Sequence, residues 1–451
     1  MSTSSTFSQE GDCERSAIAI AWSCMTVIIA CTWKAVHPNV PPANLRASKW
    51  TLACRRLYMT FWTILLPELV IWRAAREWFE ARHLSATYKQ EYSGDTESNA
   101  PGEQSKYRKF CIFLSGLVTG PPKEAYWTKV HSFFLIMGGF VTAEGDLIIP
   151  EDLGIDKGTT RKVDWPMVEE DEINDKSKGD MITKALVVWQ TTWFVIQLVA
   201  RIVEGLAITE LEVMTLAYGL MCALLYGLWW NKPYDVHKPI TTTSTSSPLK
   251  YSKPFNEVAT EIKEETTKEE TTQEERPKEE EGSALKIEDF LFGTWITVLD
   301  NRIFEGTGLY CRDQGLAILL FLTSATIFGS IHCIAWKFQF PTLLERILWI
   351  SSSLVAAAIP CFSVVLLIFV HHFASLYDGL YEAIGKSVFQ RSFAQLMKEL
   401  ATLSYFFCFS ILAYMYCLAR IVLIVQAFVL LRHLSPSAAQ SISWSHFIPH
   451  V

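Results

Sequence analysis

Polar and apolar positions in this chain segregate into long runs. Residues 16–33, SAIAIAWSCMTVIIACTW, carry no charge, and a run of that length suits a helix crossing a hydrocarbon core of roughly 30 Å. Its upstream flank is acidic, with Glu10, Asp12 and Glu14 beside one Arg15, and no small-residue cleavage site follows. It therefore reads as a membrane helix, not a cleaved signal peptide. Comparable runs cover 57–72 (interrupted at Pro67-Glu68), 182–205, 211–230, 315–336, 343–370 and 403–431. VHSFFLIMGGFV, at 130–141, is shorter and reads as a re-entrant or strongly tilted element. The pattern predicts an all-α, polytopic helical membrane bundle of about 7–8 transmembrane helices.

Between the runs the composition changes. The divisions are an N-terminal tail 1–15, first membrane helices 16–141 with a variable loop 74–126, and a polar membrane-adjacent segment 142–181. A central helical hairpin 182–236, an acidic linker 237–284 and a C-terminal membrane region 285–451 follow. The segment 142–181 holds enough apolar residues, in LIIPEDLGI and VDWPMVEEDEI, for a small ordered subdomain. The linker repeats KEETT and has almost no apolar content, so it cannot offset its ordering entropy and is expected to be a disordered tether. DFLFGTWITVL, at 289–299, has the pattern of an amphipathic helix lying on a membrane surface.

The loop 34–56 contains Lys34, Arg46, Lys49, Arg55 and Arg56 without an acidic residue, which marks it as cytoplasmic and puts the N-terminus outside. With eight crossings the C-terminus also lies outside. The loop 73–126 conflicts with this count, because it is basic as well yet would face out. In GLWWNKPYDV, Trp229 and Trp230 end an apolar run. They read as interface anchors, with Lys232 reaching lipid phosphates and Pro233 stopping the helix.

Half of the 451 residues are hydrophobic and 19% are charged, as a membrane protein requires. The net charge of −7 lies mostly in the linker and gives no reason to expect nucleic acid. Most of the eleven cysteines fall inside apolar runs and read as small hydrophobes. No phosphate-binding glycine loop, nucleophile elbow, H-E-x-x-H or paired-aspartate motif is present. The histidines are scattered, and neither a metal nor a cofactor is expected.

Ionisable groups within the spans are the candidates for function, because burying them in hydrocarbon is costly. They are Glu68 after Pro67, Arg201 and Glu204 near the end of the 182–205 run, and Arg420 past the middle of the 403–431 run. Gln190, Gln197, Arg201 and Glu204 share one helical face. Two readings stay open for this set: interhelical pairing, in which Glu68 or Glu204 neutralises Arg420 or Arg201, and a polar cavity for a ligand.

The segments IAWSCMTVIIACTWKAVHPNVPP (20–42), GGFVTAEG (138–145), DKSKGD (175–180), WFVIQLVARIVEGLAITELEVMTLAYG (193–219), WWNKPYDV (229–236), FGSIHCIAWKFQFP (328–341) and SWSHFIPHV (443–451) together resemble a large fungal family of multi-span membrane proteins. Some of its members are labelled UsgS-like transmembrane proteins. The resemblance implies a multi-pass membrane location and a setting in defence, the cell surface or secondary metabolism; it implies no activity, cofactor or catalytic residue.

Three functions are compatible with these observations: a scaffold, sensor or accessory membrane protein; a membrane-embedded cyclase or transferase acting on a lipophilic small molecule; and a transporter. The partner common to all is the lipid bilayer.

Overall fold

A computed structural model describes residues 15–41, 48–92, 127–154, 163–177, 181–242, 314–384 and 388–441. The helices are α1 (Ala17–Ala35), α2 (Lys49–Leu65), α3 (Pro67–Tyr92), α4 (Lys129–Ile136), α5 (Glu170–Lys176), α6 (Met181–Val203), α7 (Glu210–Leu228), α8 (Gln314–His332), α9 (Leu343–Ile384), α10 (Val388–Val429) and the single turn α11 (Pro436–Ala439). Two-residue strands, β1 (Phe140–Val141) and β2 (Ile240–Thr241), pair in parallel with Phe140 opposite Ile240. Among the described residues, six stretches are long and apolar enough to cross a membrane: Ala17–Ala35, Ala185–Val203, Glu210–Leu228, Gly315–Lys337, Leu343–Ser363 and Phe407–His433. Their outer faces are apolar too. Trp22, Trp189, Val203, Phe407 and Tyr414 are all strongly exposed. A surface of that kind suits lipid, not water.

Ion pairs and hydrogen bonds define the two ends of the bundle. At one, the termini end, Arg15 donates its backbone N–H to Ala439 O and its guanidinium to Glu212. Glu212 also closes a capping box with Thr209 that starts α7. At the other, the hairpin end, Arg56 of α2 reaches Asp235 at 3.1 Å and the carbonyl of Trp33 at 3.3 Å, while Lys232 reaches Glu77 of α3 at 2.7 Å.

The first and second arms of the α2–α3 hairpin both belong to the hairpin end. From Arg56, α2 runs inward for nine residues, about 14 Å, to Leu65. Pro67 lacks the N–H that would continue the helix, and the chain turns there. The tip lies halfway along the bundle: the hydroxyl of Tyr218, at the middle of α7, donates to Ile64 O, and Arg420 Nε donates to Leu65 O at 3.2 Å. α3 then returns ten residues, about 15 Å, to Glu77. Its later turns pack into a side subdomain. There Trp127, Trp165 and Tyr88 cluster, with Trp127 and Trp165 centroids 4.7 Å apart, and Ser85 bonds Ser132 at 2.9 Å.

Four expectations change. The run 57–72 does not continue as one span, because Pro67 folds it into a hairpin. The 130–141 run does not form a long apolar helix; it contains the eight-residue α4, buried in the side subdomain. Residues 74–92 of the expected variable loop are helical, and the linker begins later than 237, because Ile240–Thr241 pairs with β1. The rest of the linker, the stretch 289–299 and the tail beyond 441 lie outside the described residues.

The crossing of α8 with α9 depends on a glycine. A Cβ at Gly329 would fall on the backbone of Ala356 and Ala357. Pro360, inside α9, removes the helical donor for the Ala356 carbonyl, and the close approach of Gly329 covers that carbonyl.

Candidate functional site

The hairpin tip gathers groups from four helices. Glu68 stands in the first turn of α3 and is 1% exposed; Arg420 of α10 is 2% exposed. Their nearest charged atoms are 3.9 Å apart, which is an ionic contact but too long for a hydrogen bond. The Arg420 guanidinium lies 3.5 Å from the Phe328 ring centroid and 6.0 Å from that of Tyr218, so aromatic faces supply part of its solvation. Neither oxygen of Glu68 has a well-formed hydrogen bond among the described residues, although the Tyr416 hydroxyl lies close enough to act on the carboxylate; His332 Nε2 and one nitrogen of Arg420 also lack a hydrogen-bond partner among the described residues. Buried polar atoms are nearly always paired, and each orphan costs about 1–3 kcal/mol. The hairpin tip concentrates several such atoms around one point.

Beside Glu68 lies a cavity of about 310 Å³ between the hairpin tip and α8, α9 and α10. Its walls include Trp62, Leu69, Phe321, Ile359, Pro360 and Tyr416. Tyr414, also part of the wall, is 72% exposed, so the cavity reaches the lateral surface of the bundle. The volume falls at the small end of ligand sites, which are mostly apolar with a few placed polar groups.

The polar stripe on α6 does not reach this cavity. Gln190 and Gln197 are half-buried, Glu204 is exposed, and Arg201 is 1% exposed at the termini end. Arg201 donates to the carbonyls of Ala207, Ser437, Ala438 and Gln440, with Gln440 O at 2.7 Å. It fastens the segment after α10 to the α6–α7 corner. Of the two readings of the ionisable set, Glu68 and Arg420 meet each other at the tip, whereas Arg201 binds backbone.

The interface-anchor expectation is corrected for two of its three residues. Trp229 and Lys232 are each 2% exposed, and only Trp230, at 77%, faces outward. Trp229 Nε1 and Lys232 Nζ both donate to Glu77 Oε2 at 2.7 Å, Arg73 Nε donates to Glu77 Oε1 at 3.1 Å, and Lys232 also reaches Asn39 Oδ1 at 3.0 Å. Burial alone pushes the Glu77 carboxyl up, but the charges of Lys232 and Arg73 and the hydrogen bonds outweigh it, holding the group below the ordinary carboxylate range. Pro233 does follow the end of α7, so the helix stop falls where the sequence put it.

His131 Nε2 donates to Val168 O at 2.8 Å and Nδ1 accepts the Thr128 N–H at 3.2 Å. Burial lowers its pKa against the weaker opposing pull of that carbonyl and of Glu170, so the imidazole is a neutral structural pin. Among the described residues no three His, Cys, Asp or Glu side chains converge as metal ligands would.

Sequence reasoning missed Tyr218, Phe328 and Tyr416 because aromatic residues in apolar runs look like ordinary core. It missed Glu77 because 74–126 reads as a loop. A heptad-like spacing of charges through Arg73, Glu77 and Glu80 would have pointed to a helix.

No curated protein and no solved structure matches this chain. A family described as a family of unknown function (DUF8562) matches residues 2–250 and 308–451, leaving out 251–307, which holds most of the acidic linker, and the chain belongs to it.

Proposed function

We propose that this is a multi-pass membrane protein that binds a lipophilic small molecule in the cavity at the hairpin tip, in the manner of a sensor or accessory subunit. The single observation behind this reading is the Glu68 carboxyl group, 1% exposed, with Arg420 no nearer than 3.9 Å, the Tyr416 hydroxyl beside it without a well-formed hydrogen bond, and an apolar cavity of about 310 Å³ adjoining. The fitting ligand has an apolar body and one hydrogen-bond donor, such as an alcohol, amide or amine, and enters from the side past Tyr414. The α2–α3 hairpin is then re-entrant, and residues 34–56 and 77–92 share one side of the membrane. That arrangement removes the conflict between the two basic segments: both face the cytoplasm, as the positive-inside rule asks. The kinship with fungal UsgS-like proteins is carried by the sequence segments quoted above.

The test uses a photoreactive long-chain alcohol and the matching alkane on the purified protein, with cross-links mapped by mass spectrometry. The alcohol should label the segments around Leu66–Leu69 and Phe409–Cys417. Glu68→Leu should reduce that labelling about tenfold, the value of one hydrogen bond to a charged group, and leave the alkane unaffected. Labelling spread over all outward faces and indifferent both to Glu68→Leu and to Ser363→Trp, which would fill the cavity from the α9 wall, would reject the site. A second reading, chemistry on the ligand, is favoured by Tyr416 lining the same cavity as Glu68 with its hydroxyl beside the carboxylate. Recovery of an altered compound after incubation with wild type but not Glu68→Leu would select it.

A further inference from the structure

We infer that the hairpin end holds a second site, one that takes the phosphate of an anionic lipid headgroup, in a cavity beneath the first turns of α2. This rests on the membrane placement proposed above, but not on the ligand at the tip. The cavity encloses about 340 Å³, and its walls include Asn39, Lys49, Leu52, Arg55, Arg56 and Asp235. Among the described lining residues three cations, Lys49, Arg55 and Arg56, stand against one carboxylate, Asp235, and Arg55 also donates to Asn39 O at 3.2 Å. Asp235 engages Arg56 at 3.1 Å and His237 at 3.4 Å, so the described lining residues carry more positive than negative charge.

Two further features point to an anion. The first turn of α2 has no acidic residue, and Ser48 at its N-cap makes no side-chain capping bond, so neither its own first turn nor its N-cap side chain offsets the positive end of the helix. Independently, Asn39 is 4% exposed, its Oδ1 is held by Lys232, and its Nδ2 has no hydrogen-bond partner among the described residues. It is a buried donor in the cavity wall waiting for an acceptor. Phosphate oxygens satisfy such a donor together with Arg and Lys.

The exposed apolar face of α2 beside the cavity selects a lipid as the source of that phosphate. One to three turns along α2 from the cavity mouth, Leu57, Tyr58 and Phe61 are 58%, 45% and 58% exposed, and Trp50 beside Lys49 is 81% exposed. An acyl chain leaving the headgroup meets this apolar face directly. Cationic recesses on the cytoplasmic side of membrane bundles bind anionic headgroups in the same way. Lys232, the cation that sequence reasoning assigned to phosphates, is buried in the Glu77 network, and the phosphate-facing role passes to Lys49 and Arg55.

The experiment compares the full chain in bilayer discs of phosphatidylcholine alone with discs containing phosphatidylserine. Lipid retained after detergent washing is counted by native mass spectrometry. Wild type should retain phosphatidylserine in preference to phosphatidylcholine, and the Lys49→Gln, Arg55→Gln double variant should lose that preference by about 25-fold, at roughly fivefold for each cation. Asn39→Leu, which removes the buried donor, should weaken the same preference; should it fail to fold, the wild-type comparison remains the deciding measurement. Equal retention of the two lipids by wild type overturns the site. Full thermal stabilisation by inorganic phosphate alone in detergent, with none added by phosphatidylserine, overturns the lipid assignment. Failure of the alcohol labelling at the hairpin tip would leave this outcome untouched, so the two proposals fail separately.

Discussion

The buried ionic network at the hairpin end predicts an order of costs that the interface-anchor reading of Lys232 does not. Glu77 is 2.7 Å from Lys232 and 3.1 Å from Arg73. At an effective permittivity near 20 these contacts are worth about 6 and about 5 kcal/mol of attraction, most of it offset by desolvation. Lys232→Met removes one cation and leaves Glu77 with Arg73 and the Trp229 N–H, a neutral and hydrogen-bonded remainder, so the cost should be about 2–3 kcal/mol. Glu77→Gln removes the carboxylate that the two cations share and leaves both buried among fewer acceptors, for about 4–5 kcal/mol. The assay is unfolding of the purified protein by graded dodecyl sulfate in mixed micelles, followed by tryptophan fluorescence, since Trp229 is buried against Glu77. pH gives an independent reading. The folded Glu77 pKa lies below its unfolded value, so its contribution is complete above about 4.3 and disappears as pH falls through the lower folded value. Glu77→Gln should flatten that acid limb. A surface lysine on the membrane interface would cost no more than about 1 kcal/mol on removal. Finding Lys232→Met within that limit, and Glu77→Gln no worse, would refute the buried network.

Further outcomes follow from other parts of the structure. His131 is held neutral with a depressed pKa, so the unfolded chain binds more protons than the folded one below about 6.5; stability should fall with acidification through that window, and His131→Gln should lessen the fall in the same micelle titration. Gly329→Val should destabilise by about 1–3 kcal/mol through the clash with Ala356 and Ala357, whereas Gly315→Val, with open space around its Cβ position, should cost less than 1 kcal/mol. Arg201→Met should free the segment around α11 and speed tryptic cleavage after Arg432 about tenfold, the value of roughly 1.5 kcal/mol of charge-assisted hydrogen bonding. Cysteines placed at Lys49 and Gln90 should react with a membrane-impermeant maleimide from one side of sealed vesicles and a cysteine at Glu204 from the other. Labelling of Gln90→Cys together with Glu204→Cys would restore the eight-crossing arrangement and remove the hairpin.

The six apolar stretches were legible because lipid solvation is a property of composition and length. A run such as SAIAIAWSCMTVIIACTW has one stable solution in hydrocarbon, a helix with its backbone bonds closed internally. Pro67 was legible as a break, and Glu68 and Arg420 as costly groups requiring a reason. What the break did was decided only by tertiary contacts. Pro67 is compatible with a kinked span or a reversal, and the reversal is fixed by Tyr218 and Arg420 capturing the carbonyls of Ile64 and Leu65. Likewise the sequence shows that Trp229 and Lys232 end a helix but not that Glu77, some 150 positions earlier, is there to bury them. Local chemistry sets which groups need partners; the packing of distant helices chooses those partners, because burial makes every unpaired charge more costly than the rearrangement that pairs it.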